Sequence, residues 1–303
     1  RTFESVTAHA AWGLPQSNDS NPALRTTSSG NTLGEVVYTR LFHSNCTTYD
    51  AAEADIFVIP LLFAHRRSEV VQRLCPFIER YLDEEVLPRL VHLTDETAPR
   101  HMLLHGHPPV TLSVAKVCLG WWLKPVKRLR QVRRFGTRDH CSRFTYGLHA
   151  VPYPSLVHWS RRFDVVPPWQ ERRQRPRLMA YAAAQRAPDQ AAHSVRAALG
   201  KSCTTHGPSV CNFVELLPQE SENPKINLKR ARLITRAYSE ARFCLQPTGD
   251  TCERKGILDS LLLGCIPVLF HVCQQELWPL HWGGWSTSSS VLVNGSAVAS
   301  GEL

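Results

Sequence analysis

One short loop, QPTGDTCERK, combines small, acidic and basic side chains between an apolar strand, Phe243–Leu245, and an apolar helix. Asp250 is a predicted N-cap, and Glu253 three residues later completes a capping box. The free N–H groups of such a helix start attract anions, and Arg254 adds a planar cation that binds phosphate oxygens in pairs. The loop therefore suits a phosphate or diphosphate, with Lys255 facing solvent. The alternative is a purely structural helix start.

A second set of candidate residues is the run H-x-x-x-H-x-H formed by His101, His105 and His107. The spacing is compatible with metal binding, but no nearby acid or cysteine completes a ligand set. We predict no metal site. His101, at the end of a predicted strand, is the candidate general base for an acceptor hydroxyl. A histidine that only donates and accepts hydrogen bonds in a cleft is the alternative.

The elements around QPTGDTCERK are those of a doubly wound sheet. The following helix has an apolar face and ends at Gly264, and a buried strand, Ile266–Phe270, follows. Such sheets bind ligands at the carboxyl ends of their strands, where this loop lies. The apolar residues of the helix face are Ile257, Leu258, Leu261 and Leu262.

The rest of the chain repeats this alternation of strands and helices, which predicts parallel α/β layers. Apolar strands are predicted at Ile56–Pro60, in RHMLLH and in RPRLMAYAAAQR. We divide the chain into an extended arm (1–32), an amino-terminal α/β domain (33–165), a basic linker (166–177), a carboxy-terminal α/β domain (178–285) and a tail (286–303).

Composition limits the class of protein. The chain has 303 residues, 43% of them hydrophobic, enough for two domains with cores of their own. No run approaches the roughly 18 uncharged apolar residues of a membrane span. The chain starts at Arg1 without an initiating Met or a signal-peptide pattern. We therefore expect a processed or trimmed piece whose targeting segment is missing.

Ten cysteines, an even number, and three N-x-[ST] sequons favour an oxidising compartment of the secretory route. Reduced, buried thiols in another compartment are the alternative. Cys203 and Cys211 flank a short loop that a disulfide could close. Cys244 and Cys265 fall on buried strands and are predicted to be packed thiols.

The net charge is +9, concentrated in KPVKRLRQVRR and in the arginines between 161 and 177. These runs are either a solvated connecting region or a docking site for an acidic partner. No aromatic–basic RNA-binding signature accompanies them, which argues against nucleic acid.

The stretch FCLQPTGDTCERKGILDSLLLGCIPVLF resembles the signature of the exostosin-like glycosyltransferases, most closely the plant xyloglucan galactosyltransferase type. That signature runs approximately F-C-L-x-P-x-G-D-[ST]-x-x-R-x-x-x-[FL]-D-[SA]-x-L-x-G-C-I-P-V. Weaker similarities follow in the family's order in EADIFVIPLLFA, APRHMLL, VPYPSLVH and MAYAAAQR…HSVR. The resemblance extends over about residues 36 to 285.

The resemblance implies a GT-B fold, with two Rossmann-like domains and the active site in a cleft between them. It implies inverting transfer of a hexose, galactose or a related sugar, from a UDP-sugar to a glycan acceptor in the Golgi lumen. No metal or other cofactor is expected, and the chain contains no D-x-D motif. His101 would be the base. The residues assigned to the donor are Arg186, Gln246, Gly249, Asp250, Glu253, Arg254 and Glu276.

Two departures favour a rival interpretation. Ala183 stands where the family has a glycine close to the donor, and the family's Asp before His101 is missing. The rival is a non-catalytic exostosin-like subunit that serves as a scaffold or interaction module.

Overall fold

In a computed structural model the described residues are 46–59, 87–105, 133–136, 148–155, 166–171, 174–184, 190–216, 224–249 and 252–302, with positions 37, 41, 80, 84 and 85. They form two compact units, divided between residues 151 and 152. The segment predicted as a linker, 166–177, falls within the second unit. The cleft between two domains stays a prediction.

The first unit contains a four-stranded parallel sheet whose strands lie in chain order, β1-β2-β3-β4. Its strands are β1 (Phe57–Ile59), β2 (His101–His105), β3 (Arg133–Gly136) and β4 (Leu148–Ala150). The strands predicted at Ile56–Pro60 and in RHMLLH are thereby confirmed, each slightly shortened.

The second unit contains a five-stranded parallel sheet with the order β6-β5-β7-β8-β9. Its strands are β5 (Arg177–Ala183), β6 (Cys211–Glu215), β7 (Ala241–Gln246), β8 (Ile266–Leu269) and β9 (Val291–Leu292). Its helices are α1 (Gln190–His206), α2 (Pro224–Glu240), α3 (Lys255–Leu262), α4 (Ser286–Ser289) and α5 (Gly295–Ser300). A 3₁₀-helix (Val272–Gln274) and a π-helix (Pro279–Gly283) lie between β8 and α4.

Alternate residues of β5 enter two different cores. Ala180 and Ala182 pack with residues of α2, whereas Tyr181 and Ala183 pack with residues of α1. This is the period-two alternation of a strand that is covered on both faces. Alanine on the α2 side, including Ala237 of that helix, lets the helix approach the sheet closely.

The start of α3 differs from the prediction. The helix begins at Lys255, its N-cap is Arg254, and no side chain caps it. The capping box of Asp250 and Glu253 is therefore wrong, because Glu253 lies in the loop before the helix. The end of the helix is confirmed, since Gly264 follows it with φ +68°, a left-handed conformation that glycine adopts without strain.

Three disulfides join described cysteines, and all lie in the second unit. Cys203–Cys211 confirms the predicted loop closure. Cys244–Cys265 corrects our prediction of packed thiols. Both residues are buried in the core cluster on the α2 side, where β7 and the residue preceding β8 bring their Cα atoms to 5.8 Å. Burial and bonding are thus compatible when neighbouring chain segments face one core. The third pair is Cys252–Cys273.

The predicted linker supplies internal contacts as well as charge. Arg175 donates to the carbonyl oxygens of Tyr238 (3.0 Å), Ala241 (2.9 Å) and Leu263 (2.7 Å), so it caps the carboxyl ends of α2 and α3. Arg177 pairs with Glu240 at 3.2 Å. These two arginines are therefore engaged within the unit. No helix among the described residues is long and apolar enough to cross a membrane.

Candidate donor-binding site

The strand order of the second sheet defines where a ligand would bind. From β5 the chain crosses to β6 on one side, and it then returns to β7 on the other side of β5. A doubly wound sheet binds its ligand at such a switch point, outside the carboxyl ends of the two strands. The candidate site therefore lies beyond Ala183 and Gln246, beside the β7–α3 loop (residues 247–254).

Arg254 joins both sides of the switch point. Its Nε donates to Oε1 of Gln246 (2.8 Å), its Nη1 to the carbonyl oxygen of Pro247 (3.0 Å) and its Nη2 to that of Ala182 (2.7 Å). Each Nη atom keeps a second N–H that donates to no described residue. Arg254 thus holds the strand ends together and brings a full positive charge to the site.

A second arginine, Arg196, lies at the same edge. It is only 8% exposed, and it donates from Nε to the carbonyl oxygen of Thr248 (3.0 Å) and from Nη1 to that of Ala184 (3.3 Å). The carboxyl end of β5, with the residue that follows it, is therefore joined to the loop after β7 by two guanidinium groups. Burial raises the pKa of the Tyr181 hydroxyl, and the charges of Arg254 and Arg196 both oppose that rise. Both guanidinium charges are thus close enough to lower the pKa of the same group, the Tyr181 hydroxyl near the carboxyl end of β5.

Gln246, the last residue of β7, holds the guanidinium group of Arg254 in position through a hydrogen bond. Its side chain is fully buried, and Nε2 donates to the hydroxyls of Tyr238 (2.9 Å) and Ser260 (2.8 Å) while Oε1 accepts from Arg254. Burial raises the pKa of Tyr238 to about 12, so its hydroxyl keeps its proton. Both N–H groups of Nε2 and the Oε1 atom thus have partners within the protein, which makes Gln246 a positioning residue.

Gln274 fixes the neighbouring strand end. It is fully buried; its Nε2 donates to the carbonyl oxygen of Gln246 (2.9 Å), and its Oε1 accepts from the backbone N–H of Phe270 (3.0 Å). The segments after β7 and β8 are therefore bound to each other by one side chain.

Lys255 pairs with Asp259 at 3.1 Å, which corrects the expectation that it faces solvent. Asp259 is almost fully buried and also accepts a 2.6 Å hydrogen bond from the hydroxyl of Ser155. Lys255 rather than Arg254 therefore neutralises this acid, and the guanidinium of Arg254 stays available to the site. The contact also ties Ser155, which lies in the second unit, to α3.

The remaining predicted donor residues are placed as follows. Gly249 lies half-buried in the β7–α3 loop, Glu253 is buried in the same loop, and Glu276 is exposed after the 3₁₀-helix. Asp250 and Arg186 lie outside the described residues.

His101 lies in the first unit, at the amino end of β2. It is 3% exposed, stacks on Phe57 with ring centroids 4.8 Å apart, and its Nδ1 lies 2.9 Å from the carbonyl oxygen of Thr97. Because a carbonyl only accepts, Nδ1 carries the proton and Nε2 is the basic atom of the neutral ring. Burial lowers the pKa of His101. The neutral ring suits a base, whereas the burial and the amino-end position suit a structural residue.

Among the described residues, one group could in principle hold a metal: Cys252, His271 and Cys273. The two sulfur atoms are bonded to each other, so neither is a thiolate ligand in this state.

The exostosin GT47 domain matches residues 20–285 of this sequence, which is most of its length. The chain belongs to the exostosin GT47 family. Proteins similar to this exostosin GT47 chain occur in Arabidopsis thaliana. "Probable xyloglucan galactosyltransferase GT15" is 32% identical over 136 residues, which cover 43% of this chain and 27% of that protein.

"Xyloglucan galactosyltransferase MUR3" is 33% identical over 124 residues, 40% of this chain and 18% of that protein. "Xyloglucan-specific galacturonosyltransferase 1" is 32% identical over 124 residues, 40% of this chain and 17% of that protein. The exostosin GT47 chain thus matches less than a third of the length of each of these relatives.

Two residues of the candidate site, Arg196 and Gln274, are not predicted from the sequence. Arg196 belongs to the element HSVR, which resembles the family, whereas we predict Arg186 as the second cation. Gln274 could not be predicted, because a neutral polar residue shortly after a strand does not by itself indicate a buried hydrogen bond.

Proposed function

We propose that this chain transfers a hexose, galactose or a close relative, from a UDP-sugar to a glycan acceptor, and that the β7–α3 loop receives the diphosphate. One observation carries the proposal. Arg254 and Arg196 are both bound into the loops at the switch point of a parallel sheet, so two positive charges stand where such sheets bind phosphate groups.

The proposed reaction is a single displacement with inversion. The acceptor oxygen attacks the anomeric carbon, the bond from that carbon to the diphosphate breaks, and the diphosphate leaves with the electron pair. Negative charge therefore grows on the diphosphate in the transition state. Arginines already held by hydrogen bonds stabilise this charge without having to reorganise, which is how preorganised groups accelerate a reaction.

Two further parts of the proposal rest on sequence. The absence of a D-x-D motif supports a transfer in which guanidinium groups, rather than a metal, balance the diphosphate. Asp250 and Gly249 would shape the loop, Arg186 would add charge, and Glu276 would accept hydrogen bonds from the ribose hydroxyls.

A histidine is proposed as the base that takes the acceptor proton. His101 is our prediction from sequence, yet it lies at the amino end of β2, the edge opposite to that at which parallel sheets bind ligands. His105 is the last residue of the same strand and is therefore the better-placed histidine.

The three disulfides among the described cysteines support a location in the secretory route, and we propose the Golgi lumen. A cytosolic protein would keep such thiols reduced.

The test is nucleotide binding by the whole chain. Saturating UDP should raise the unfolding temperature, since a ligand at a hundredfold excess over Kd stabilises by about 2.7 kcal/mol. UMP, which lacks the second phosphate, should bind more weakly because one of the two arginines then has no phosphate group of the ligand to contact. Transfer from UDP-galactose to a xyloglucan oligosaccharide should then be measured. A chain that binds no UDP would instead be the non-catalytic scaffold.

A further inference from the structure

The disulfide Cys252–Cys273 lies at the edge of the sheet where the candidate site is. Cys252 is in the β7–α3 loop, and Cys273 is in the 3₁₀-helix that follows β8. Because β7 and β8 are parallel neighbours, both segments leave the sheet at its carboxyl edge.

The other two disulfides among the described residues lie away from the carboxyl edge of the sheet. Cys244–Cys265 is buried within the core on the α2 side, and Cys203–Cys211 closes the turn between α1 and the amino end of β6. Their four cysteines are at most 3% exposed. Cys252 and Cys273 are half-buried. Since thiol–disulfide exchange needs access to a sulfur, Cys252–Cys273 is, of the three bonds among the described residues, the one that a dithiol can reach in the folded protein.

A histidine stands beside the accessible bond. His271 is exposed, and one of its ring nitrogens lies within 4.8 Å of both sulfur atoms. Its Nδ1 accepts a hydrogen bond from the backbone N–H of Cys273 (3.2 Å). The exposed ring of His271 therefore adjoins the bond that a dithiol would attack.

The bond acts on the same strand ends as the arginine network. Cys252 is two residues before Arg254, and Cys273 immediately precedes Gln274, which binds the carbonyl oxygen of Gln246. Gln246 in turn accepts from Arg254. Breaking the bond would leave the middle of the β7–α3 loop without its covalent anchor, while Arg254 keeps its own hydrogen bonds. Diphosphate binding would then have to order the loop.

We propose that Cys252–Cys273 positions the β7–α3 loop for a nucleoside diphosphate, and that reduction of this bond by a dithiol lowers the affinity for it. One thiolate of the dithiol attacks a sulfur of the pair, and the S–S bond breaks to give a mixed disulfide and one free cysteine thiol. The second thiol of the reductant then displaces the other cysteine. Two protein thiols and one oxidised dithiol result. The proposal rests on the proposed function for the identity of the ligand.

Binding of UDP to the whole chain is measured by calorimetry for the parent and for the double variant Cys252→Ser/Cys273→Ser. We expect the variant to bind about tenfold more weakly, because binding must order several loop residues. The double variant Cys203→Ser/Cys211→Ser is the matched control. It lacks a bond at the opposite edge and should lose thermal stability while binding UDP as the parent does. Equal affinity of the parent and Cys252→Ser/Cys273→Ser would overturn the positioning role.

Two measurements that need no nucleotide separate this inference from the proposed function. Mild dithiothreitol followed by alkylation and peptide mapping should label Cys252 and Cys273 before the four cysteines of Cys203–Cys211 and Cys244–Cys265. Hydrogen exchange should show that reduction loosens the β7–α3 loop and not β5 or β7. Simultaneous labelling of all three pairs, or unchanged exchange in the loop, would contradict the inference even if UDP binds. If the parent fails to bind UDP but both measurements succeed, the proposed function fails alone.

Discussion

Arg254 and Arg175 make similar sets of hydrogen bonds at opposite edges of one sheet. Each donates three hydrogen bonds to oxygen acceptors, Arg254 at the carboxyl end of β7 and Arg175 at its amino end. The two side chains therefore have comparable value for stability, but only Arg254 stands where a diphosphate would bind. This pair separates a binding role from a structural one.

We predict that Arg254→Ala and Arg175→Ala both lower the free energy of unfolding, by about 2–3 kcal/mol, since each loses hydrogen bonds from a charged donor. Only Arg254→Ala should also weaken UDP binding, by roughly tenfold to a hundredfold. Arg254→Lys should recover part of the affinity, because an ammonium lacks the planar fork. Chemical denaturation and calorimetry measure the two effects. Equal UDP affinity of the two alanine variants would show that Arg254 is only structural.

The pKa of His101 links the stability of the first unit to pH. Burial is the main cause of its lowering, and the hydrogen bond to Thr97 opposes it. The unfolded chain, with a histidine pKa near 6.5, thus takes up a proton at a higher pH than the folded protein. The contribution of His101 to stability is present above that value and is lost as the pH falls through it towards the lower folded pKa.

Replacing His101 by Gln should therefore flatten the fall in unfolding temperature between about pH 7 and about pH 5. His206→Gln, at an exposed position in the last turn of α1, is the control. Its unfolding temperature should depend on pH as steeply as that of the parent. A series of thermal scans measures this. If His101→Gln keeps the parent's slope, burial of this imidazole does not carry the pH dependence.

At the scale of elements, β5, β7 and β8 could be predicted because each is an apolar run followed by a polar loop, whereas β9 lies in the segment that we assign to a tail. The beginning of α3 could not, since the capping-box pattern was satisfied in sequence by Asp250 and Glu253. The structure starts the helix at Lys255. Gly256 shows the reason for a glycine in that first turn: a Cβ there would lie 2.3 Å from Oε1 of Gln246. Close packing of Gln246 against the first turn of the helix therefore requires a residue without a Cβ at position 256.

The same limit applies to the site. The position of Arg254 at the carboxyl edge of the sheet could be predicted, because the loop that carries it follows a strand. The hydrogen-bond partners of Arg254 could not be predicted, since one of them, Ala182, is distant in sequence and contributes only a carbonyl oxygen. The bond Cys244–Cys265 was misjudged for a related reason. Strand adjacency, which brings the two cysteines together, follows from the sheet order and not from either strand alone.

At the scale of the whole molecule, the chain divides between residues 151 and 152 into units with separate sheets. The second unit contains both core clusters around β5, the three disulfides, and the network of Arg254, Arg196 and Gln274. If these features suffice for nucleotide binding, the unit needs nothing from the first sheet to hold UDP. The acceptor and the base would then be the contribution of the first unit.

We predict that a protein of residues 152–303, produced under oxidising conditions, unfolds cooperatively and binds UDP within about threefold of the affinity of the whole chain. It should not transfer sugar, because the proposed base is in the first unit. Arg254→Ala in this shorter protein is the control and should abolish most of the binding. Calorimetric titration and thermal scans supply the measurements. A folded 152–303 that binds UDP more than about tenfold more weakly would mean that residues before 152 contact the nucleotide, and the donor site would then have to be drawn from both units.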